Sequence, residues 1–108
     1  MLIIKAIIRP ERTNAVLEEL NEAGFPAVTK YDVVGRGKQQ GITAGSIHYD
    51  ELPKEMLMIA VNDEDKDDVV RIIMSNARTG EKGNFGDGKI FISNLDEAYT
   101  VSSGLKGL

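Results

Sequence analysis

Between Ala77 and Ile92 the chain reads ARTGEKGNFGDGKIFI, a stretch whose residue types suit the holding of an anion. Four glycines (Gly80, Gly83, Gly86, Gly88) and two lysines (Lys82, Lys89) fall between Thr79 and Lys89. Glycine lets backbone N–H groups approach and wrap an anion, and lysine adds charge, so the chemistry this points to is phosphate binding. Glycines after a helix also serve as caps and turns, and Gly80 suits that role.

Little else in the chain is equipped for chemistry. There is one histidine, His48, in a loop, no cysteine, and no serine-centred elbow. Disulfides, thiolate metal sites and cysteine nucleophiles are therefore excluded, and a positioned base is missing. Asp63, Glu64, Asp65, Asp67 and Asp68 are plentiful carboxylates. They fall where a helix starts, and acids there complement the positive dipole end as a solvated face. The sequence reads as a binding protein and not as an enzyme.

The elements that must position the glycine stretch are short and regular. Leu2 to Arg9 is an isoleucine-rich strand with Leu2, Ile4, Ala6 and Ile8 on one face and Ile3, Lys5, Ile7 and Arg9 on the other. Pro10 ends it, and Glu11 to Ala23 carries Val16, Leu17, Leu20 and Ala23 at helical spacing before a capping Gly24. Val28 to Val34 returns as a strand. Residues 36–53 then show no sustained period, and a loop of that length inside a small domain tends to be functional or disordered. Met56 to Val61 is the third strand. Asn62 is the expected side-chain cap of a second helix with Val69, Val70, Ile73 and Ala77 as its buried stripe. Lys89 to Ser93 is the fourth strand, Ala98 to Val101 a short fifth, and residues 104–108 a flexible tail.

The strand–helix runs Leu2 to Gly24 and Met56 to Gly80 correspond, so the order is an internal pseudo-repeat. Right-handed crossovers predict an α+β ferredoxin-like βαββαβ sandwich: a four-stranded antiparallel sheet, two helices on one face, and a long effector loop between strands two and three. The 108 residues make one domain. Two helices cover one face of such a sheet, yet the first strand is apolar on both, so the second face calls for another subunit. A net charge of −4 speaks against nucleic acid as main partner. The apolar opening run is too short to insert in a membrane and lacks a cleavage pattern, and a cytoplasmic location fits the absence of cysteine.

Three blocks in order resemble the PII signal-transduction family. They are ARTG with GDGKIF at residues 77–80 and 86–91, the opening strand Ile3-Ile4-Lys5-Ala6-Ile7-Ile8-Arg9-Pro10, and Gly35-Arg36-Gly37-Lys38-Gln39-Gln40-Gly41 with Leu52-Pro53-Lys54 at the two ends of the effector loop. The resemblance implies a trimer with sheets facing inward and ATP or ADP in the clefts between subunits. Carried over position by position, Gly86, Asp87, Gly88 and Lys89 would hold phosphates, Gly35, Gly37 and Lys38 would close over them, and Thr29, Met58 and Ala60 would border the adenine. Gln39 would coordinate a magnesium ion bridging ATP and 2-oxoglutarate. Lys54 would neutralise a carboxylate of that acid, with backbone N–H groups at Gln39, Gln40 and Gly41 completing the site.

The departures from the family pattern matter as much. Two arginines that usually clamp the nucleotide phosphates are Thr100 and Ser102 here, and the glycine loop is about three residues longer, so Lys82 is a candidate replacement charge. The loop position usually carrying a modified tyrosine is Ile47, and Tyr49 is out of place for nucleotidylation. The loop sequence GRGKQQGI and the missing arginines are similar to the NifI branch of nitrogen-fixation operons in methanogenic archaea. Those proteins work as paired paralogues that inhibit nitrogenase, and 2-oxoglutarate with ATP releases the inhibition. The expected function is thus a nitrogen regulator, in a homotrimer or a hetero-oligomer with a PII paralogue, inhibiting nitrogenase when 2-oxoglutarate is low. The alternatives are a general PII regulator of an ammonium transporter or nitrogen-assimilation enzyme, an acyl-phosphate hydrolase, and a relative that has lost nucleotide binding.

Overall fold

A computed structural model of the chain describes residues 1–36, 42–44, 47–49 and 51–108, with the backbone alone at 42–44 and 47–49. In order, the elements are β1 (Leu2–Ile8), α1 (Thr13–Glu22), β2 (Thr29–Gly35), β3 (Ile42–Ala44), β4 (Ile47–Tyr49), β5 (Leu52–Val61), α2 (Lys66–Ala77) and β6 (Gly88–Asn94). Four strands form one sheet in the order β2-β5-β1-β6, and β3 pairs with β4 as a separate ribbon. All pairings are antiparallel. Each βαβ half therefore encloses a strand of the other half, which is the ferredoxin-like arrangement the pseudo-repeat predicts.

The pseudo-repeat extends to how the helices start. Both follow their strand through a single 3-10 turn, Pro10–Arg12 before α1 and Asp63–Asp65 before α2. Asn62 does not cap with its side chain as expected; its carbonyl instead accepts the Asp65 N–H at 3.0 Å. At the other end of α1 the Phe25 N–H reaches the Leu20 carbonyl at 2.8 Å and the Gly24 N–H that of Asn21 at 3.1 Å, a Schellman closure. Gly24 has the positive φ this closure needs, +94°. Phe25 then packs against the core that Leu20 helps to form.

That core is one-sided. Ile4, Ala6 and Ile8 of β1 and Leu57, Ile59 and Val61 of β5 meet Val16 and Leu20 of α1 and Val69, Ile73 and Ala77 of α2, all buried. Strand alternation puts Ile3 and Ile7, Met56 and Met58, Val33 and Phe91 on the opposite face. Along β1, Ile4, Ala6 and Ile8 are buried while Ile3 and Ile7 are half-buried on the other face, so the structure bears out the two-faced patterning of β1.

Three elements differ from the sequence reading. β5 begins at Leu52, four residues before Met56, because Leu52, Pro53 and Lys54 pair with Gly35, Val34 and Val33 of β2. The pairing of β1 with β5 stops at Ile8 and Glu55, so Pro53 lies where β5 is a sheet edge, and a proline is tolerated there. Within the aperiodic stretch, β3 and β4 form a short hairpin. Ala98 to Val101 is not a strand. A lone bridge joins Tyr99 to Lys106, the Thr100 N–H donates to the Leu105 carbonyl at 2.9 Å, and the Gly107 N–H donates to the Ala98 carbonyl at 2.8 Å. The tail from Gly104 thus folds back on the preceding turn, a contact with no periodic signature.

Leu57 is fully buried between the two helices' stripes. Leu57→Ala is expected to lower stability by about 2–5 kcal/mol, read as a shift of the urea midpoint at fixed protein concentration.

Candidate functional site

The glycine stretch is a closed loop from the end of α2 to the start of β6, and one carboxylate ties it. Asp87 Oδ1 accepts from Thr79 Oγ1 at 2.6 Å and from Arg9 Nε at 3.0 Å. Its Oδ2 accepts from the Asn84 N–H at 2.8 Å and the Thr79 N–H at 3.0 Å. Asn84 adds a strut of its own, donating from Nδ2 to the Thr79 carbonyl and hydroxyl, both at 3.0 Å. Burial pushes the Asp87 carboxyl up, but the donors of Thr79, Asn84 and Arg9 outweigh it and hold the group well below the usual carboxylate range. Asp87 is therefore an anion at any physiological pH, and its charge is spent inside the loop.

Glycine is required where the loop meets the sheet. At Gly88, φ is +133° and an added Cβ would stand 2.0 Å from the Ile7 carbonyl oxygen, which no side chain survives. At Gly86, φ is +94° and a Cβ would lie 3.2 Å from Arg9 Nη2 and 3.7 Å from Lys54 Nζ. Two cations thus reach the loop from the sheet. Arg9 Nη2 donates to the Phe85 carbonyl at 2.9 Å, and Lys54 Nζ donates to the Gly86 carbonyl. Burial, and then the neighbouring Arg9 charge, hold the Lys54 ammonium below the usual lysine range, while Glu11 and Asp87 oppose the shift.

Register decides which of the expected residues share a surface. Thr29 pairs with Met58, Val33 with Lys54, and Ile7 with Lys89. By alternation Thr29, Gly35, Lys54, Met58, Ala60 and Lys89 all belong to the face away from the helices. Thr29 and Lys89 sit on opposite edge strands, three strand spacings apart across the sheet and two residues along it, or about 16 Å. Gly37, Lys38, Gln39, Gln40 and Gly41 lie outside the described residues. Thr100 and Ser102 are exposed in the C-terminal turn, and Lys82 is exposed in the glycine loop.

Arg9, Thr79 and Asn84 are structural partners that the spacing of glycines and lysines did not single out. In the sequence Arg9 read only as the last residue of the first strand, ahead of Pro10. On the helix side, a groove of about 330 Å³ runs between α2 and β6, lined by Ile73, Met74, Arg78 and Ile90 among others. Asp63, Glu64, Asp67 and Asp68 are exposed around the start of α2.

Taken together, the arrangement offers a glycine-rich loop whose own acid is neutralised, beside two cations and an open apolar sheet face. It suits a phosphate-bearing ligand with an adjacent carboxylate. A family model described as nitrogen regulatory protein P-II matches residues 1–104. The chain is 54% identical over 108 residues to the nitrogen fixation nifHD region GlnB-like protein 1 of Methanothermococcus thermolithotrophicus, covering 100% of both chains. It is 55% identical over 108 residues to the nifHD2 region GlnB-like protein 1 of Methanosarcina barkeri, again covering 100% of both. To the nitrogen regulatory protein P-II 2 of Methanothermobacter thermautotrophicus it is 45% identical, covering 96% of this chain and 91% of that one.

Gly88→Ala is expected to force the loop off β1 and cost about 1–3 kcal/mol in urea unfolding. Asp87→Asn is expected to cost about 1–3 kcal/mol at pH 7. Folding holds the Asp87 carboxyl low, so its stabilisation is present above the unfolded value of about 3.9 and fades as pH falls below it. The gap between wild type and Asp87→Asn should therefore narrow on acidification from about pH 4.

Proposed function

This chain belongs to the nitrogen regulatory protein P-II family, as a regulator of the nif-region GlnB-like kind and not an enzyme, and from that premise we propose that it reads ATP or ADP together with 2-oxoglutarate and inhibits nitrogenase when the acid is scarce. The observation that carries this reading is the meeting of Lys54 with the glycine loop at Gly86. A cation suited to a dicarboxylate and a loop suited to phosphates are neighbours, so two ligands can be sensed as one event.

The residues around the loop and sheet suit the nucleotide. Gly86, Gly88 and Lys89 would hold its phosphates, and Thr29, Met58 and Ala60 would border its base. Gly88 and Lys89 lie on edge strand β6, while Thr29 lies on the opposite edge strand β2 with Met58 and Ala60 beside it on β5; that separation supports a ring of copies, since a head-to-tail interface sets different patches of neighbouring chains side by side. The apolar face bearing Ile3, Ile7, Met56 and Phe91 supports the same ring, a homotrimer or one shared with a paralogue, by giving the copies a surface to bury. Magnesium would be held by Gln39 and would supply charge to bridge nucleotide and acid.

The long loop would be the arm that touches nitrogenase. Ligand binding at its two ends, Gln39 and Lys54, must then favour one loop arrangement over another, because equal affinity shifts no population. A near-complete switch needs a difference of about 5.5 kcal/mol. A second reading, an ammonium transporter or nitrogen-metabolism enzyme as target, draws on the P-II relative whose name carries no nitrogen-fixation region.

Calorimetry of Mg-ATP with and without 2-oxoglutarate tests the proposal, with each ligand expected to tighten the other by about tenfold. Lys54→Met is expected to abolish that tightening while leaving nucleotide affinity within about threefold, as removal of one ligand's cation should. Absence of heat from both ligands defeats the reading. Lys82→Ala with unchanged nucleotide affinity removes Lys82 from the phosphate site. Nitrogenase activity with added protein, titrated with 2-oxoglutarate, separates the two targets.

A further inference from the structure

We infer that the Phe85 ring, held out from the glycine loop by a rigid turn, is an anchor with which this chain enters an apolar pocket on its target protein, beside the root of the long loop. The inference rests on the reading of nitrogenase as that target, and it adds a contact outside the long loop.

A single apolar side chain in solvent is ordinary. Phe85 differs in how it is held. It is 81% exposed, the most exposed aromatic among the described residues. The Asp87 N–H donates to the Asn84 carbonyl at 3.1 Å, which closes a four-residue turn over 84–87. Gly86 has φ +94° and Phe85 does not share the positive sign, so the turn is of type II with Phe85 at its first corner. The backbone of that turn is tied on every side. The Asn84 N–H donates to Asp87 Oδ2 at 2.8 Å, the Phe85 carbonyl accepts from Arg9 Nη2 at 2.9 Å, and the Gly86 carbonyl accepts from Lys54 Nζ. Turning the corner inward would break these bonds, so the ring stays in solvent until another surface covers it. A side chain presented on fixed backbone has less freedom to lose on binding, which favours affinity.

Placement selects the occupant. β2 ends at Gly35 and β5 begins at Leu52, these two residues pair, and the long loop leaves and returns between them. Lys54, two residues inside that pair, is what holds the Gly86 carbonyl. A protein that engages the long loop is thereby brought against Phe85. The apolar face offered to neighbouring copies runs along the strands through Ile3, Ile7, Met56 and Phe91, whereas the turn stands past Ile8, where β1 stops pairing with both β5 and β6. A copy seated on that face meets the turn only at its rim. Around the ring, Glu81 and Lys82 are exposed, one acid and one base. An aromatic centre within a polar rim is the composition of a binding hot spot.

Wild type, Phe85→Ala and Phe85→Tyr are compared as full chains, assembled with the paralogue where the ring contains one. Nitrogenase inhibition is titrated without 2-oxoglutarate, and both ligand affinities are measured by calorimetry. Phe85→Ala is expected to raise the half-inhibiting concentration about tenfold or more, and Phe85→Tyr, which keeps the ring, by less than about threefold. Affinities for Mg-ATP and 2-oxoglutarate are expected to stay within about twofold in both variants, because the loop is tied through the Phe85 carbonyl and not through its ring. Fluorine NMR of chain carrying 4-fluorophenylalanine at Phe25, Phe85 and Phe91 reads the ring directly, with its signal assigned by loss in Phe85→Leu. That signal is expected to be broadened by a soluble paramagnetic agent in the free assembly and protected from it once nitrogenase is added.

Undiminished inhibition in Phe85→Ala overturns the inference and leaves the sensing function standing. A Phe85 signal already protected in the free assembly means that a second copy covers the ring, and overturns it. Loss of inhibition together with weakened binding of either ligand puts the ring in the ligand site and overturns it too. If wild type binds both ligands yet neither inhibits nitrogenase nor gains protection at Phe85 on mixing, nitrogenase falls as the target and the anchor falls with it. Should Phe85→Ala not fold, Phe85→Gln carries the same comparison.

Discussion

An arginine and a carboxylate 78 residues apart, Arg9 and Asp87, make the contact on which the site depends. The loop after α2 has several glycines and, taken as a free chain, a large conformational entropy to lose. Asp87 offsets this by gathering donors from Thr79, Asn84 and Arg9 into one knot. The same knot solves an electrostatic problem. A carboxylate among groups meant for an anion would repel it, but here the negative charge is absorbed by N–H donors and a guanidinium. What the loop presents outward is backbone with the exposed side chains of Glu81, Lys82 and Phe85.

The sheet sets where that knot can act. Among the described residues β1 is the only strand paired along both of its edges over its whole length, with β5 on one side and β6 on the other. It therefore carries the loop-bearing strand β6 and the lysine-bearing strand β5 at a fixed offset. Gly88 seals this geometry by letting β6 start against the Ile7 carbonyl. A regulator needs such rigidity beneath a responsive part, because small shifts at a ligand are transmitted through packed elements and not through soft ones.

Away from the knot, charge on the chain is met locally: in the first turn of α2, Asp67 pairs with Lys66 and Asp68 with Arg71. Thr100 and Ser102 stand where the family usually has arginines, and both are exposed in the C-terminal turn.

Local pattern determined much of this protein. Alternation in β1, the 3.6-residue stripes of Val16 and Leu20 and of Val69, Ile73 and Ala77, and the glycine after α1 were legible because each reports a residue's own burial or backbone freedom. The pseudo-repeat then implied the sheet, and the glycine loop with Lys54 implied a site. What only the tertiary structure decided are contacts between residues with no common period. Pairing with β2, not apolarity, extends β5 back through Pro53 to Leu52. The tail returns on Tyr99 through backbone bonds alone. Asp87 counted, by position, among the phosphate residues, yet its carboxylate faces inward, and Arg9 gained its place only when the fold brought the end of β1 to the loop. Sequence periodicity records which side of an element is buried; it does not record which distant donor completes a hydrogen bond, and the site is built from such bonds.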